Sequence, residues 1–209
     1  MADLLLYHAA PSRSSALLWM LEELGQPYDV HLLNLDKKEN RQPDYFAVNP
    51  MGKVPALKHK GAVITEAAAI CTYLADEFPQ AGLNVPIGDP RRGPYLKWLF
   101  FAPSCIEPAV LDRIRKTETG SQRQLGWGDF DSVIGTMQKG LTAGPYILGD
   151  KFTAADVVMG SAVRFGMVFK VLPELPEFKA YGERVGSRPA AKRAQAKDAE
   201  FIKQKAATA

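Results

Sequence analysis

The residues Asn49-Pro50-Met51-Gly52-Lys53-Val54-Pro55-Ala56-Leu57 run a turn into a short apolar strand, with a proline at the strand's entry. Proline donates no backbone hydrogen bond, so it is kept to strand starts, edges and bulges. An X–Pro junction is also the usual setting for a cis bond. Val54 would then offer a free peptide edge, able to pair with an extended peptide as one more strand. The same nine residues also fit an ordinary turn before a strand. Further on, Thr65-Glu66-Ala67 opens a helix. Free N–H groups and the helix dipole at its start can hold a carboxylate.

The elements that must position these groups are legible in outline. Ala56–Lys58 and Ala62–Ile64 read as two strands around His59-Lys60-Gly61, with Gly61 suited to positive φ in a hairpin turn. In the next helix Ala67, Ile70, Cys71, Leu74 and Phe78 form an apolar stripe, and Pro79 stops it. Upstream, Leu4–Tyr7 reads as a buried strand broken by His8–Ser12. Leu17, Leu18, Leu21 and Leu24 then mark a helix that Gly25 ends, and Tyr28–Leu35 reads as the next strand. Strand–helix–strand implies a right-handed parallel crossover. Asp36–Asp44 is polar and reads as a surface segment on the rim of the site.

Asn49-Pro50-x-Gly52-Lys53-Val54-Pro55-Ala56-Leu57, followed by Ile64-Thr65-Glu66-x-x-Ala69-Ile70-x-x-Tyr73-Leu74, resembles the glutathione S-transferase family, of the cytosolic bacterial type. Phe152-Thr153-Ala154-Ala155-Asp156 extends the resemblance to the C-terminal half, as a Thr-x-x-Asp capping pattern opening a long apolar helix. The resemblance implies an α/β thioredoxin-like N-terminal domain, βαβ-ββα, followed by an all-α helical-bundle C-terminal domain. The expected division is 1–80 for the first, 81–94 for a Pro/Gly-rich linker and 95–209 for the second.

The resemblance also implies a role for each site residue. Members of the family bind glutathione as co-substrate and make its sulfur nucleophilic. An ordinary thiol has a pKa near 8.5, so lowering it by two units takes roughly 2.7 kcal/mol. One hydrogen bond to a charged group supplies about 1.5–3 kcal/mol. The loop after the first strand holds the hydroxyls of Tyr7, Ser12, Ser14 and Ser15. A class that uses an early Ser has Ala9 at that position here, the Cys of the beta-type class matches Ser12, and the Tyr of other classes matches Tyr7. Ser12 is the favoured activator and also fits a plain N-cap; Tyr7 is the alternative, and also fits a core aromatic. Val54 and Pro55 would hold the cysteinyl backbone, Glu66 and the Ala67 N–H the γ-glutamyl end, and Lys38 and Lys53 the glycyl carboxylate. Ala67 stands where the family commonly has Ser, which removes one hydroxyl donor. Phe101, Ser104, Cys105, Phe165 and Phe169 would border a pocket for a hydrophobic electrophile. The expected activity is alkyl or aryl transfer to glutathione; the alternative is a non-catalytic binding protein of the same fold.

Composition is consistent with this. Of 209 residues, 46% are hydrophobic, which supports a sizeable core. A net charge of +3 gives no argument for nucleic acid. Two cysteines make no disulfide framework, and the histidines do not join them in any metal-ligand spacing. No signal peptide or membrane span is legible, so a cytoplasmic protein is expected. In the second half, Pro103 and Pro108 are expected to kink or end a helix begun at Tyr95. Helices are expected over Phe130–Leu141 and from Pro176, with a polar tail after Ala190 that frays. Aromatics at Tyr73, Trp98, Phe100 and Phe101, with Ile70, Leu96 and Leu99, suggest a homodimer interface along these helices.

Overall fold

The computed structural model describes residues 2–117 and 121–207, which form two compact units. Of the described residues, the first comprises 2–82 and 188–207, the second 83–117 and 121–187. In the first unit β1 (Leu4–His8), α1 (Ser15–Leu24) and β2 (Tyr28–Leu32) make the crossover. A short α2 (Pro43–Phe46) precedes the hairpin β3 (Ala56–His59) and β4 (Ala62–Thr65), and α3 (Ala67–Glu77) closes the domain. The sheet order is β2-β1-β3-β4, with β1 parallel to β2 and antiparallel to β3. This is the thioredoxin-like βαβ-ββα arrangement. Lys60 (φ 50°) and Gly61 (φ 81°) make the hairpin turn with positive φ at both positions, the form whose twist matches the strands.

α1 is apolar almost all round. Eight of its ten residues are buried, Leu17, Leu18, Met20 and Leu21 completely. A helix with that pattern needs cover on both sides. The sheet supplies one side and α9 (Pro189–Ala207) the other. The tail expected to fray is therefore a helix continuous to Ala207, packed in the first unit rather than with the helical bundle. Ala190, Ala191 and Ala194 are its buried contacts. Its polarity answers two carboxylates on α1. Arg188 Nε and Nη2 donate to Glu23 at 2.7 and 2.8 Å. Glu22 accepts from Lys197 Nζ (2.6 Å), Arg193 Nε (2.6 Å) and Tyr28 Oη (2.5 Å).

The second unit is all helical: α4 (Arg92–Phe101), α5 (Glu107–Arg115), α6 (Phe130–Leu141), α7 (Ala154–Val168) and α8 (Pro176–Gly186). Of residues 81–94, expected to be a linker, those from Leu83 on are pinned to this unit, since Leu83 C=O accepts from Ala154 N–H and Val85 C=O from Arg92. Pro103 and Pro108 neither break nor sharply end the chain's helical path. One π-helical turn, Ala102–Ile106, absorbs Pro103 between α4 and α5, and Pro108 sits in the first turn of α5, where its missing N–H costs nothing. Tyr95, Trp98, Leu99 and Ala102 face the core, while Phe100 is 44% exposed, so the expected Leu96/Leu99/Phe100 face is rotated by part of a turn. At the head of α7 the capping box forms as expected. Buried Asp156 accepts from Thr153 N–H (2.9 Å), Ile147 N–H (2.8 Å) and Tyr181 Oη (2.9 Å), tying three segments to one carboxylate.

Burial would push the Glu22 carboxyl up, but the bonds from Lys197, Tyr28 and Arg193 outweigh it and hold it at about 2. That lies below the ordinary glutamate value of about 4.3, so the stabilisation is present above that value and disappears as pH falls from it toward 2. The unfolding midpoint should drop through this interval. Glu22→Gln should lower the midpoint at neutral pH and flatten its acid slope; an unchanged slope would place the acid sensitivity elsewhere.

Candidate functional site

Strand register gathers the predicted site residues of the first unit. Tyr7 pairs with Ala56, and Ala56 with Thr65. The loop after β1, the Val54–Pro55 junction and Glu66 therefore leave the sheet at one end.

The turn before Val54 is held by side chains. Buried Asn49 accepts from Met51 N–H (3.0 Å) and donates through Nδ2 to Lys53 C=O (2.7 Å). Tyr45 Oη donates to the same carbonyl at 2.7 Å, and Asn40 Nδ2 donates to Gly52 C=O at 2.8 Å. Burial, then the neighbouring Tyr7, pushes the Tyr45 hydroxyl up to about 12, so it stays protonated and keeps donating. Gly52 sits at φ 59°, and a Cβ there would come within 2.8 Å of Asn40 C=O and 2.9 Å of Arg41 Nη1 and Phe46 Cε1. The Val54–Pro55 peptide is cis. Neither the N–H nor the C=O of Val54 bonds to another described residue. Its side chain packs with Tyr7 on Ala9, Leu33 and Tyr45.

Glu66, exposed at the N-cap of α3, adopts φ 68°, ψ 118°, a conformation rarely tolerated outside functional sites. The first intrahelical bond runs from Ile70 N–H to Glu66 C=O at 2.9 Å, so the N–H groups of Ala67–Ala69 have no intrahelical acceptor. Lys53 gives its carbonyl to the turn and leaves its ammonium exposed; Lys38 is exposed too, at φ 56°.

The hydroxyl loop is more structured than its sequence suggested. Ser14, not Ser12, is the N-cap position of α1, and it is fully buried. Ser12 is half-buried, and its Oγ accepts from Ser14 N–H at 3.1 Å and lies 2.7 Å from Ser14 Oγ. Ser14 Oγ is 2.7 Å from His8 Nδ1 and accepts from Ala9 N–H at 3.1 Å. His8, fully buried, places Nε2 2.8 Å from Asp198 Oδ1 on α9. Tyr7, one residue earlier on β1, points to the other face. Its ring packs edge-on against Tyr45 (5.8 Å between centroids) and tilted on His31 (5.2 Å).

His8, Asp198 and Tyr45 escaped the sequence reading, which placed Ser14 among the loop hydroxyls without giving it a role. A signal existed for His8: alternation sets it on the buried face with Leu4 and Leu6, where an imidazole must find partners. Nothing local announces Asp198, 190 positions away. The residues expected beside the electrophile lie in the second unit. Phe165 and Phe169 pair at 4.3 Å and are about half exposed, Phe101 packs edge-on against Trp98, and Ser104 and Cys105 occupy the π turn. Burial pushes up both thiols, Cys71 to about 12, so neither is poised as a nucleophile.

Residues 2–76 match the family described as glutathione S-transferase, N-terminal domain. The chain is 30% identical to glutathione S-transferase 1 of Dianthus caryophyllus over 72% of its length and 73% of the relative's. It is 28% identical to glutathione S-transferase GstA of Escherichia coli O157:H7, covering 81% of this chain and 86% of that one. A crystal structure of a glutathione transferase from Methylococcus capsulatus strain Bath superimposes with a TM-score of 0.79 at 29% identity, over 94% of this chain and 98% of the other. The chain belongs to the glutathione S-transferase family. Its relatives include both bacterial and plant proteins, so the narrower bacterial assignment does not follow.

Because the Gly52 turn leaves no room for a Cβ, Gly52→Ala should cost about 1–3 kcal/mol of stability. Urea unfolding measures it; an unchanged midpoint would mean that the turn yields without loss.

Proposed function

We propose that this protein is an active glutathione transferase, transferring alkyl or aryl groups from a hydrophobic electrophile to the glutathione sulfur. The supporting observation is the convergence, at one end of the sheet, of an unpaired peptide edge at Val54, a helix N-terminus behind Glu66 and a hydroxyl at Ser12. Glutathione fits these three in order. Val54 N–H and C=O pair with the cysteinyl backbone, with Pro55 closing the edge. The N–H of Ala67 and the α3 dipole hold the γ-glutamyl carboxylate, and the Glu66 carboxylate takes the γ-glutamyl ammonium. Lys53 and Lys38 face the glycyl carboxylate as exposed cations. The sulfur then meets Ser12 Oγ, whose hydrogen bond stabilises the thiolate. Within the second unit, the exposed Phe165–Phe169 pair is apolar surface of the kind a hydrophobic electrophile would need. The enzyme acts in the cytoplasm.

Ser12→Ala should raise the bound thiol pKa and cut the conjugation rate about 10–100-fold, the scale of one charged hydrogen bond. Full activity in that variant, with loss in Tyr7→Phe, would move the role to Tyr7. Tight glutathione binding without turnover against a panel of model electrophiles would identify a binding protein instead.

The proposal includes a symmetric homodimer. Its support is narrower than the sequence suggested, because Ile70, Trp98 and Leu99 are buried within the chain and Tyr73 Oη is engaged by His59 Nδ1 at 2.9 Å. Exposed Phe100 and half-buried Leu96 and Phe101 remain. Sedimentation at micromolar concentration should give twice the chain mass; a 22.9 kDa species would overturn the dimer.

A further inference from the structure

The buried chain Ser12–Ser14–His8–Asp198 connects the proposed sulfur position to a carboxylate on the C-terminal helix. Its bonds are short throughout: 2.7 Å between the two hydroxyls, 2.7 Å to Nδ1 and 2.8 Å from Nε2 to Oδ1. His8 and Ser14 are fully buried, Ser12 is half-buried, and the Asp198 side chain is 19% exposed. Only Ser12 can meet a ligand at its end of the chain. The groups facing the imidazole are Ser14 from the entry to α1, and Asp198 and the Phe201 ring from α9. Asp198 is the charged group bonded to it.

The acceptors assign the hydrogens. A carboxylate only accepts, so Nε2 carries a proton toward Asp198, and in the neutral imidazole Nδ1 is then an acceptor. Ser14 O–H donates to Nδ1 at 2.7 Å in preference to Ala9 C=O, which lies farther off at 3.3 Å. Ser14 Oγ already accepts from Ala9 N–H, and its second lone pair takes the Ser12 O–H. Ser12 Oγ accepts from Ser14 N–H and keeps one lone pair facing outward. In this state Ser12 accepts from a ligand and does not donate. Protonating Nδ1 reverses the row: Nδ1–H donates to Ser14, Ser14 O–H to Ser12, and Ser12 O–H to the ligand. A thiol S–H fits the first state and a thiolate the second.

We infer that His8, held by Asp198, is the base that takes up the glutathione thiol proton through Ser14 and Ser12. This rests on the glutathione reading above. The S–H bond breaks with its electron pair left on sulfur. Its proton goes to Ser12 Oγ, the Ser12 proton to Ser14 Oγ, and the Ser14 proton to His8 Nδ1. The products are a thiolate accepting from Ser12 O–H and an imidazolium between Ser14 and the Asp198 carboxylate. Charge is conserved, and both serines end as they began, with their hydrogens reversed. His8, Ser14 and Asp198 are positioning residues, since Ser12 alone touches the sulfur. A hydroxyl can stabilise a thiolate but does not store the proton that forming one releases; the imidazole would hold it.

Two measurements on the full-length protein test this. The first is nitrogen NMR of the wild-type imidazoles, with His8 assigned by loss of its signal in His8→Gln. At mildly alkaline pH, where an ordinary imidazole is neutral, saturating glutathione should convert His8 to the doubly protonated form, while S-methylglutathione, which has no thiol proton, should not. A purely structural tie between β1 and α9 would not make that distinction. The second is Asp198→Asn, which keeps an acceptor and removes the charge. It should raise the bound thiol pKa, read by ultraviolet thiolate absorption, and lower kcat about 10-fold, with the glutathione KM nearly unchanged. If the wild type binds glutathione but His8 stays neutral on saturation, or if Asp198→Asn titrates like the wild type, the relay is overturned and the glutathione reading stands. If the wild type binds no glutathione, that reading fails and the relay falls with it.

Discussion

Covering α1 is the constraint on which the rest of the first unit depends. A helix buried over most of its circumference cannot lie on a sheet with its outer side in water. α9 supplies the missing cover, using alanines where the helices approach closely and cations where Glu22 and Glu23 would otherwise be stranded. A buried carboxylate without partners is strongly destabilising, so these pairs fix the register of α9 along α1 more firmly than small apolar contacts could. That register sets Asp198 against His8. A packing requirement thus determines which groups stand behind the loop that carries Ser12.

The two sides of the site are made rigid by different means. At Val54, Asn49, Tyr45 and Asn40 occupy the carbonyls of the turn, and Gly52 fits where no side chain can. The backbone that would meet a peptide is thus already ordered, and little conformational entropy is left to lose on binding. At Ser12 the rigidity comes from a row of short hydrogen bonds to Ser14, His8 and Asp198. The first would suit a surface that recognises a backbone without changing. The second would suit a group that accepts in one state and donates in the next, as the proposed relay requires.

The helical unit follows the same logic on a smaller scale. Asp156 stands where the head of α7, the segment at Ile147 and α8 all need an acceptor, and one carboxylate serves the three. Burial pushes its carboxyl up, while the same hydrogen bonds favour the charged form and offset part of that shift. The π turn at Ala102–Ile106 shows a helix accommodating a proline by widening rather than ending.

Local chemistry in the sequence determined a good deal by itself. Apolar runs and turn residues marked the strands, and helical apolar spacing marked the crossover helix, the core face of α3 and the presence of α6 and α8. Gly61 and Gly25 marked positions of positive φ, and the Thr153–Asp156 box marked the head of α7. The Val54–Pro55 junction and the helix start at Glu66 were legible because proline and helix starts have fixed backbone consequences. Only the tertiary structure decided where Pro189–Ala207 goes, which face of α4 is buried, and which groups stand behind Ser12. A polar, alanine-rich helix reads as a solvated tail until the buried carboxylates it neutralises are known. The two bonds of His8 join residues 6 and 190 positions apart, and a hydrogen bond across that distance leaves no periodic trace in the chain. Its geometry exists only after α1 has been buried from both sides.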